Sequence, residues 1–312
     1  MKIKLLLILC TTLLVSGCGD DRPEKLKSNI QTADYLLNNL ANDLDNNRIR
    51  NGMLLREYAR LLAQQKAELQ PLLQQLSLDA SRSGPMMQGL LQRSQTLKEQ
   101  PQVLGDIEAQ LLESENLIAA SDPALFNDAL SDPINVIADM SDGQLARVNA
   151  ISKQQSLRAN GAEDSGPGSQ LVGNPGYGQW QTNSSGISFW QWYGMYAMFS
   201  ALSPRPVQYD RWSSRRDYSY YNDYGRNRYT SPQQAKAQDN LATKTRKQFA
   251  NKGGFKSPYA KSKTGASSIS NSSRQAQKAT PFAGKSSFSK AKSSSSFRNS
   301  KSTTSRGFRR GK

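Results

Sequence analysis

The stretch Ser28-Asn29-Ile30-Gln31-Thr32-Ala33-Asp34-Tyr35-Leu36-Leu37-Asn38-Asn39-Leu40-Ala41-Asn42-Asp43-Leu44 decides the fold class. Ile30, Ala33, Leu37, Leu40 and Leu44 step by three and four, which lays one apolar stripe along a helix and leaves the asparagines and aspartates on the other side. Leu55, Tyr58, Leu62, Leu69, Leu72 and Leu76 repeat the spacing, with Gln65 in the same seam. Between the two stripes lies Asp45-Asn46-Asn47-Arg48-Ile49-Arg50-Asn51-Gly52. Either one long helix runs through this polar middle or two helices fold back across it. The asparagines and Gly52 favour the hairpin, because glycine costs about 1 kcal/mol in a helix interior. Pro71 should kink or break the second helix. The stripes read as the core of an intramolecular bundle, or as a coiled-coil seam for a partner.

A second helical group is expected from about Pro85 to Ala120, interrupted near Gln100-Pro101. A ten-residue repeat follows: Ser121-Asp122-Pro123, Ser131-Asp132-Pro133 and a degraded Ser141-Asp142-Gly143. Aspartate before proline reads as an N-cap and a first turn, so the repeat predicts successive short helices rather than calcium loops. Residues 22–158 are thus expected to fold by themselves.

The first 18 residues carry an address. Lys2 and Lys4 precede an apolar run from Leu5 to Val15, shorter than the roughly 20 residues a bilayer span requires, and small residues follow it, as in a secretory signal peptide. Val15-Ser16-Gly17-Cys18 resembles the lipobox of bacterial lipoproteins. That resemblance implies cleavage before Cys18, acylation (palmitate) of its sulfur and amino terminus, and anchoring in the cell envelope. Gly19 rather than aspartate after the cysteine points, by analogy with enterobacterial members of the class, to the outer membrane facing the periplasm. Cys10 leaves with the signal, so no disulfide can form in the mature chain.

The net charge of +16 is unevenly divided: residues 18–170 carry −7 and residues 171–312 carry +21. The chain has no histidine, which removes the commonest general base and metal ligand. No catalytic residue, cofactor or metal is expected. A carboxylate-based cell-wall or glycan hydrolase would have to use pairs such as Glu108, Glu113 and Glu115, which read as a solvated helix face.

Residues 159–170 have the composition of a linker. Residues 171–204 hold no charged residue and many rings. Trp180, Phe189, Trp190, Trp192, Tyr193, Tyr196 and Phe199 are the candidates for docking onto a membrane or a protein partner. Packing as a small core, or stacking of carbohydrate, are the competing readings. On a helix, Trp192, Met195, Phe199 and Leu202 would share a face. From Arg205 to Lys312 the chain is expected to be a disordered basic tail, Arg/Tyr-rich and then Lys/Ser-rich; residues 231–312 carry 19 cations against Asp239 alone. Phe249, Phe255, Phe282, Phe288, Phe297 and Phe308 are each followed within three residues by Lys or Arg, giving ring-plus-cation stickers for lipid headgroups or an anionic envelope polymer. Nucleic acid suits the same chemistry, but a lipoprotein meets it only outside the cell.

The fold class is therefore mainly α: a helical bundle or hairpin domain (18–158) behind a signal peptide (1–17), followed by the linker, a short aromatic segment and a long basic tail. The functional expectation is a non-enzymatic envelope tether or adaptor, with a hydrolase or a polyanion binder as alternatives.

Overall fold

The computed structural model describes residues 20–203, 205–249, 255–259 and 263–278. The fold is mainly α. Helices α1 (Arg22–Asp45) and α2 (Arg50–Gln65) form the hairpin, and the turn between them passes through Asn47 in a left-handed conformation. The break at Pro71 is also present: a 3-10 turn at Ala67–Leu69 leads into α3 (Gln70–Ser77), with the proline in its first turn, where no backbone N–H is missed. Then come α4 (Pro85–Glu99), α5 (Ile107–Ala120), α6 (Pro123–Ala129), α7 (Ser131–Met140) and α8 (Lys153–Asn160). The stripe residues Leu37, Leu40, Leu44, Leu55, Leu62, Leu72 and Leu76 are all buried in one core.

The Asp-Pro repeat is only partly a capping device. Asp122 does cap α6, accepting from Ala124 N at 2.7 Å. Asp132 caps nothing of its own, since α7 already begins at Ser131. Its carboxylate instead accepts from Tyr220 N at 2.7 Å, Tyr221 N at 2.8 Å and Ser219 Oγ at 3.0 Å, and so receives the start of a helical turn 88 residues downstream. Asp142 has a left-handed backbone and pairs with Lys66. The solvated-face expectation also fails at Glu113, which is 2 % exposed and held by Arg93 at 2.7 and 3.0 Å. Glu108 and Glu115 are exposed, facing Arg22 and Lys25.

The uncharged block is not a helix over its first part. Strands β1 (Gly178–Thr182) and β2 (Ser188–Trp192) pair antiparallel across the Asn183–Ile187 loop, and only Met198–Leu202 (α9) continues as a helix, behind a 3-10 turn. Alternation explains the strand: Trp190 turns inward while Gln191 is exposed, a period of two that a helical reading of the same rings hides.

The largest correction concerns the chain from Arg205 to Gln277, which is folded rather than disordered wherever it is described. Helices α10 (Tyr209–Arg215), α11 (Arg226–Tyr229), α12 (Pro232–Gln248) and α13 (Asn271–Lys278) belong to it. Tyr220, Tyr221 and Tyr229 enter the same core as the leucine stripes, and Ile269 joins them. The segment then runs back over the bundle: Ile151 N donates to Gly265 O at 2.9 Å, Ser267 N to Asn149 O at 3.0 Å, and Ser270 N to Asp128 Oδ2 at 2.7 Å. Gly265 is required there, because a Cβ on it would stand 2.6 Å from Tyr218 Cβ. Average composition mis-stated this region because its few acids sit where they count. Asp217 meets Arg147 at 2.9 Å, and Asp223 meets Arg216 with both side chains buried. Residues 279–312 lie outside the described residues.

Candidate functional site

Of the seven rings singled out from the sequence, Trp180, Trp190, Trp192 and Phe199 are brought into contact with one another, while Tyr196 packs against Tyr177. Trp180 and Trp190 are cross-strand partners with ring centroids 5.1 Å apart. Trp180 also meets Tyr209 edge-on at 4.8 Å and Trp212 at 5.0 Å. On the other side Trp190 reaches Trp192 at 5.8 Å, and Trp192 reaches Phe199 at 4.9 Å. All four tryptophans of the chain thus form one chain of contacts, an arrangement in which each aromatic pair adds about 0.5–1.5 kcal/mol beyond area burial. Trp190, Tyr196 and Phe199 are buried, Trp180, Phe189 and Trp192 half-buried, and only Tyr193 is exposed. The exposed large apolar side chains of the block are Ile187, Tyr193, Met195 and Leu202. Phe255 stacks on Tyr209 at 6.2 Å and on Phe249 at 6.5 Å, so these two tail rings extend the interior stack. Cys18, Phe282, Phe288, Phe297 and Phe308 lie outside the described residues.

Sequence reasoning missed Tyr209 and Trp212, which complete the stack from beyond the uncharged block. No local pattern announces this, because the link is made in three dimensions: Gln208 forms a bridge with Phe189 and Val207 O accepts from Trp190 N at 2.9 Å, which makes residues 207–208 a short third edge to the hairpin. Beside this edge, Arg205, Arg211 and Arg215 gather around Glu163 in a shallow depression of ≈ 260 Å³.

The hairpin is fastened to the bundle at its base by a buried acid. Asp79 Oδ2 accepts from Tyr177 Oη at 2.8 Å, and Oδ1 has no partner among the described residues. Burial pushes the carboxyl up to about 7, against the hydrogen bond from Tyr177. Asp132 is likewise pushed up to about 7 by burial, against its three donors. An acid whose folded value is raised takes up a proton on folding. Its contribution is fully present below the unfolded value near 4 and is lost as pH rises towards 7. Stability should therefore fall between about pH 4 and pH 7. Asp79→Asn should flatten that slope partially, since Asp132 remains. Urea midpoints at the two pH values measure it, and an unchanged slope would contradict a buried neutral acid.

Among the described residues, no group of His, Cys, Asp or Glu is arranged to hold a metal ion, and no helix is long and apolar enough to cross a membrane. No protein-family model matches the chain, and neither does any curated protein or solved structure.

Proposed function

We propose that this chain is a non-enzymatic, lipid-anchored protein of the cell envelope, acting as a tether or adaptor on the periplasmic face of the outer membrane. The observation that carries the reading is the absence of a stalk: α1 starts at Arg22, four residues after Cys18, and Asp20 already bonds Arg22. Four residues reach at most about 14 Å, so an acyl chain on Cys18 holds the folded body directly against the bilayer. Each buried methylene of that chain adds about 0.8 kcal/mol, and several acyl chains make the attachment permanent.

The disposition of the acids argues against a hydrolase. Glu113 is neutralised by Arg93, Asp139 by Arg147, and Asp223 by Arg216, while Glu108 and Glu115 stand in the open beside cations. None of these leaves a pair of carboxyl groups facing a shared cleft, as glycoside cleavage requires. For contact with an anionic surface the chain offers Arg205, Arg211 and Arg215, and nine further cations without an acid in residues 279–312.

The test is metabolic labelling with an alkyne palmitate analogue. Wild type should be labelled and fractionate with outer membranes, whereas Cys18→Ser should accumulate as an unlabelled precursor. Equal labelling of both would remove the anchor and with it the tether.

A further inference from the structure

Asp79 is a buried acid without a counter-charge. It lies on the turn Leu78–Ala80 between α3 and α4, is 1 % exposed, and receives a single hydrogen bond, from Tyr177 Oη at 2.8 Å to Oδ2. Its Oδ1 is buried and has no partner among the described residues. Helices α2, α3 and α4 pack against this turn. From α2, Arg56 reaches the turn but donates to Ala80 O at 2.6 Å, while Arg50, Glu57 and Arg60 are exposed. Arg82, just past the turn, pairs with Asp45. Helix α3 has no charged residue; on α4, Arg93 is held by Glu113 and Lys98 by Asp34, and Glu99 is exposed. On the remaining side stand Tyr177 and Tyr196, both kept protonated by burial, and Asp132 of α7, whose charge acts on Tyr177, is another acid. An ionised Asp79 would therefore face one hydroxyl and no cation, a far worse state than a neutral carboxyl in the same place.

What this acid holds is a corner of the aromatic block. Tyr177 O accepts from Tyr193 N at 2.9 Å, and the Tyr177 and Tyr196 rings meet edge-on at 5.1 Å, so residues 174–178 and the 3-10 turn Gly194–Ala197 hang together. The turn rests on α3, where Tyr196 Oη meets Gln75 only at 3.4 and 3.5 Å. Among the described residues, the Tyr177–Asp79 bond is thus the one short polar tie from this corner to the bundle. The outer side of the corner already borders water, since Tyr193 and Met195 are exposed.

We propose that Asp79 is a proton-operated latch: neutral, it keeps the corner formed by residues 174–178 and 193–197 closed on α3, and ionised, it drives that corner open into water. Opening hydrates the carboxylate and uncovers the Tyr177 and Tyr196 rings beside Tyr193 and Met195. The sign follows from burial. The closed form holds the carboxyl near 7 and the open form returns it to its ordinary value near 4, so closure is favoured in acid and lost as pH rises. That difference raises the open population roughly a hundredfold between pH 5 and pH 8. The latch differs from a general loss of stability because it opens one corner while the leucine core of α1 and α2 stays shut. It needs no acyl anchor and is independent of the fate of Cys18.

The test is amide hydrogen exchange followed by mass spectrometry on the full chain in detergent, at pH 5 and pH 8, with each rate corrected for its intrinsic pH dependence. Protection of residues 174–178 and 193–197 should fall roughly a hundredfold between the two pH values, and at both should lie below that of Leu37–Leu44 in α1. In Asp79→Asn, which cannot ionise, the corner should be equally protected at both. Should that variant fold poorly, Tyr177→Phe serves: it removes a donor that favours the charged form, so it should loosen the corner more at pH 8 than at pH 5. A wild-type corner whose protection ignores pH, or one no less protected than α1 at pH 8, would overturn the latch. So would an undiminished pH dependence in Asp79→Asn.

Discussion

A fragment ending at Arg158 is expected to keep much of its helical circular dichroism and to lose its cooperative melt. The leucine spacing alone suggests that residues 22–158 are self-sufficient; the packing says otherwise. Cutting there removes the three donors of Asp132, the Ser270 and Ser273 bonds to Asp128 and the Tyr177 bond to Asp79, all in the interior. It also strips Leu171, Phe199, Tyr220, Tyr221 and Tyr229 from the core those helices share. A buried polar group stripped of its partner costs about 1–3 kcal/mol, and a whole domain is stable by only about 5–15 kcal/mol, so several such losses together with the lost core contacts consume the margin. The product should be compact, helical and dye-binding, without fixed tertiary structure. A sharp thermal transition in the fragment, matching that of the full chain, would refute this.

The second large effect is expected at Arg216. Its guanidinium is 2 % exposed, grips Asp223 and donates to Pro258 O at 2.9 Å. Replacing it with methionine leaves Asp223 buried with only backbone donors, from Ser219 at 3.2 Å and Lys263 at 2.8 Å. We expect a loss of about 3–5 kcal/mol, or a fall in Tm on the order of 10 °C for a body of this size. Arg216→Met combined with Asp223→Leu should recover part of the loss, because no charge is then stranded. A single variant that melts within a degree or two of wild type would mean the pair is not buried in solution.

These two expectations mark what could be read from the sequence and what could not. Helix type, the α1–α2 turn at Asn47 and the break at Pro71 were legible because spacing and backbone chemistry act within a few residues. Asn183–Gly186 was visible as a turn, although the strands flanking it were hidden among rings that suit a helix equally well. Asp132 shows why the rest was not legible. Aspartate before proline caps its own helix or serves a distant backbone with the same atoms, and nothing local distinguishes the two uses. The basic tail misled for a related reason, since averaging its charge concealed Asp217 and Asp223, each matched to a single arginine.

The return of residues 263–278 over residues 128–160 also sets a timetable. Thr264 N bonds Asn160 Oδ1 at 2.8 Å across 104 positions, and Ser273 Oγ bonds Asp128 Oδ2 at 2.8 Å across 145. Contacts so distant along the chain slow folding, because the intervening loop must close before they give any return. Ribosomes add about 5–20 residues per second, so the bundle waits on the order of 10 s after its own last helix is made before the closing segment exists. During that interval Asp128 lacks its bonds from Ser270 and Ser273, and the part of the core that Ile269 covers lies open. A chain built this way is a natural client for a holdase chaperone, which would shield those surfaces until the final stitch arrives.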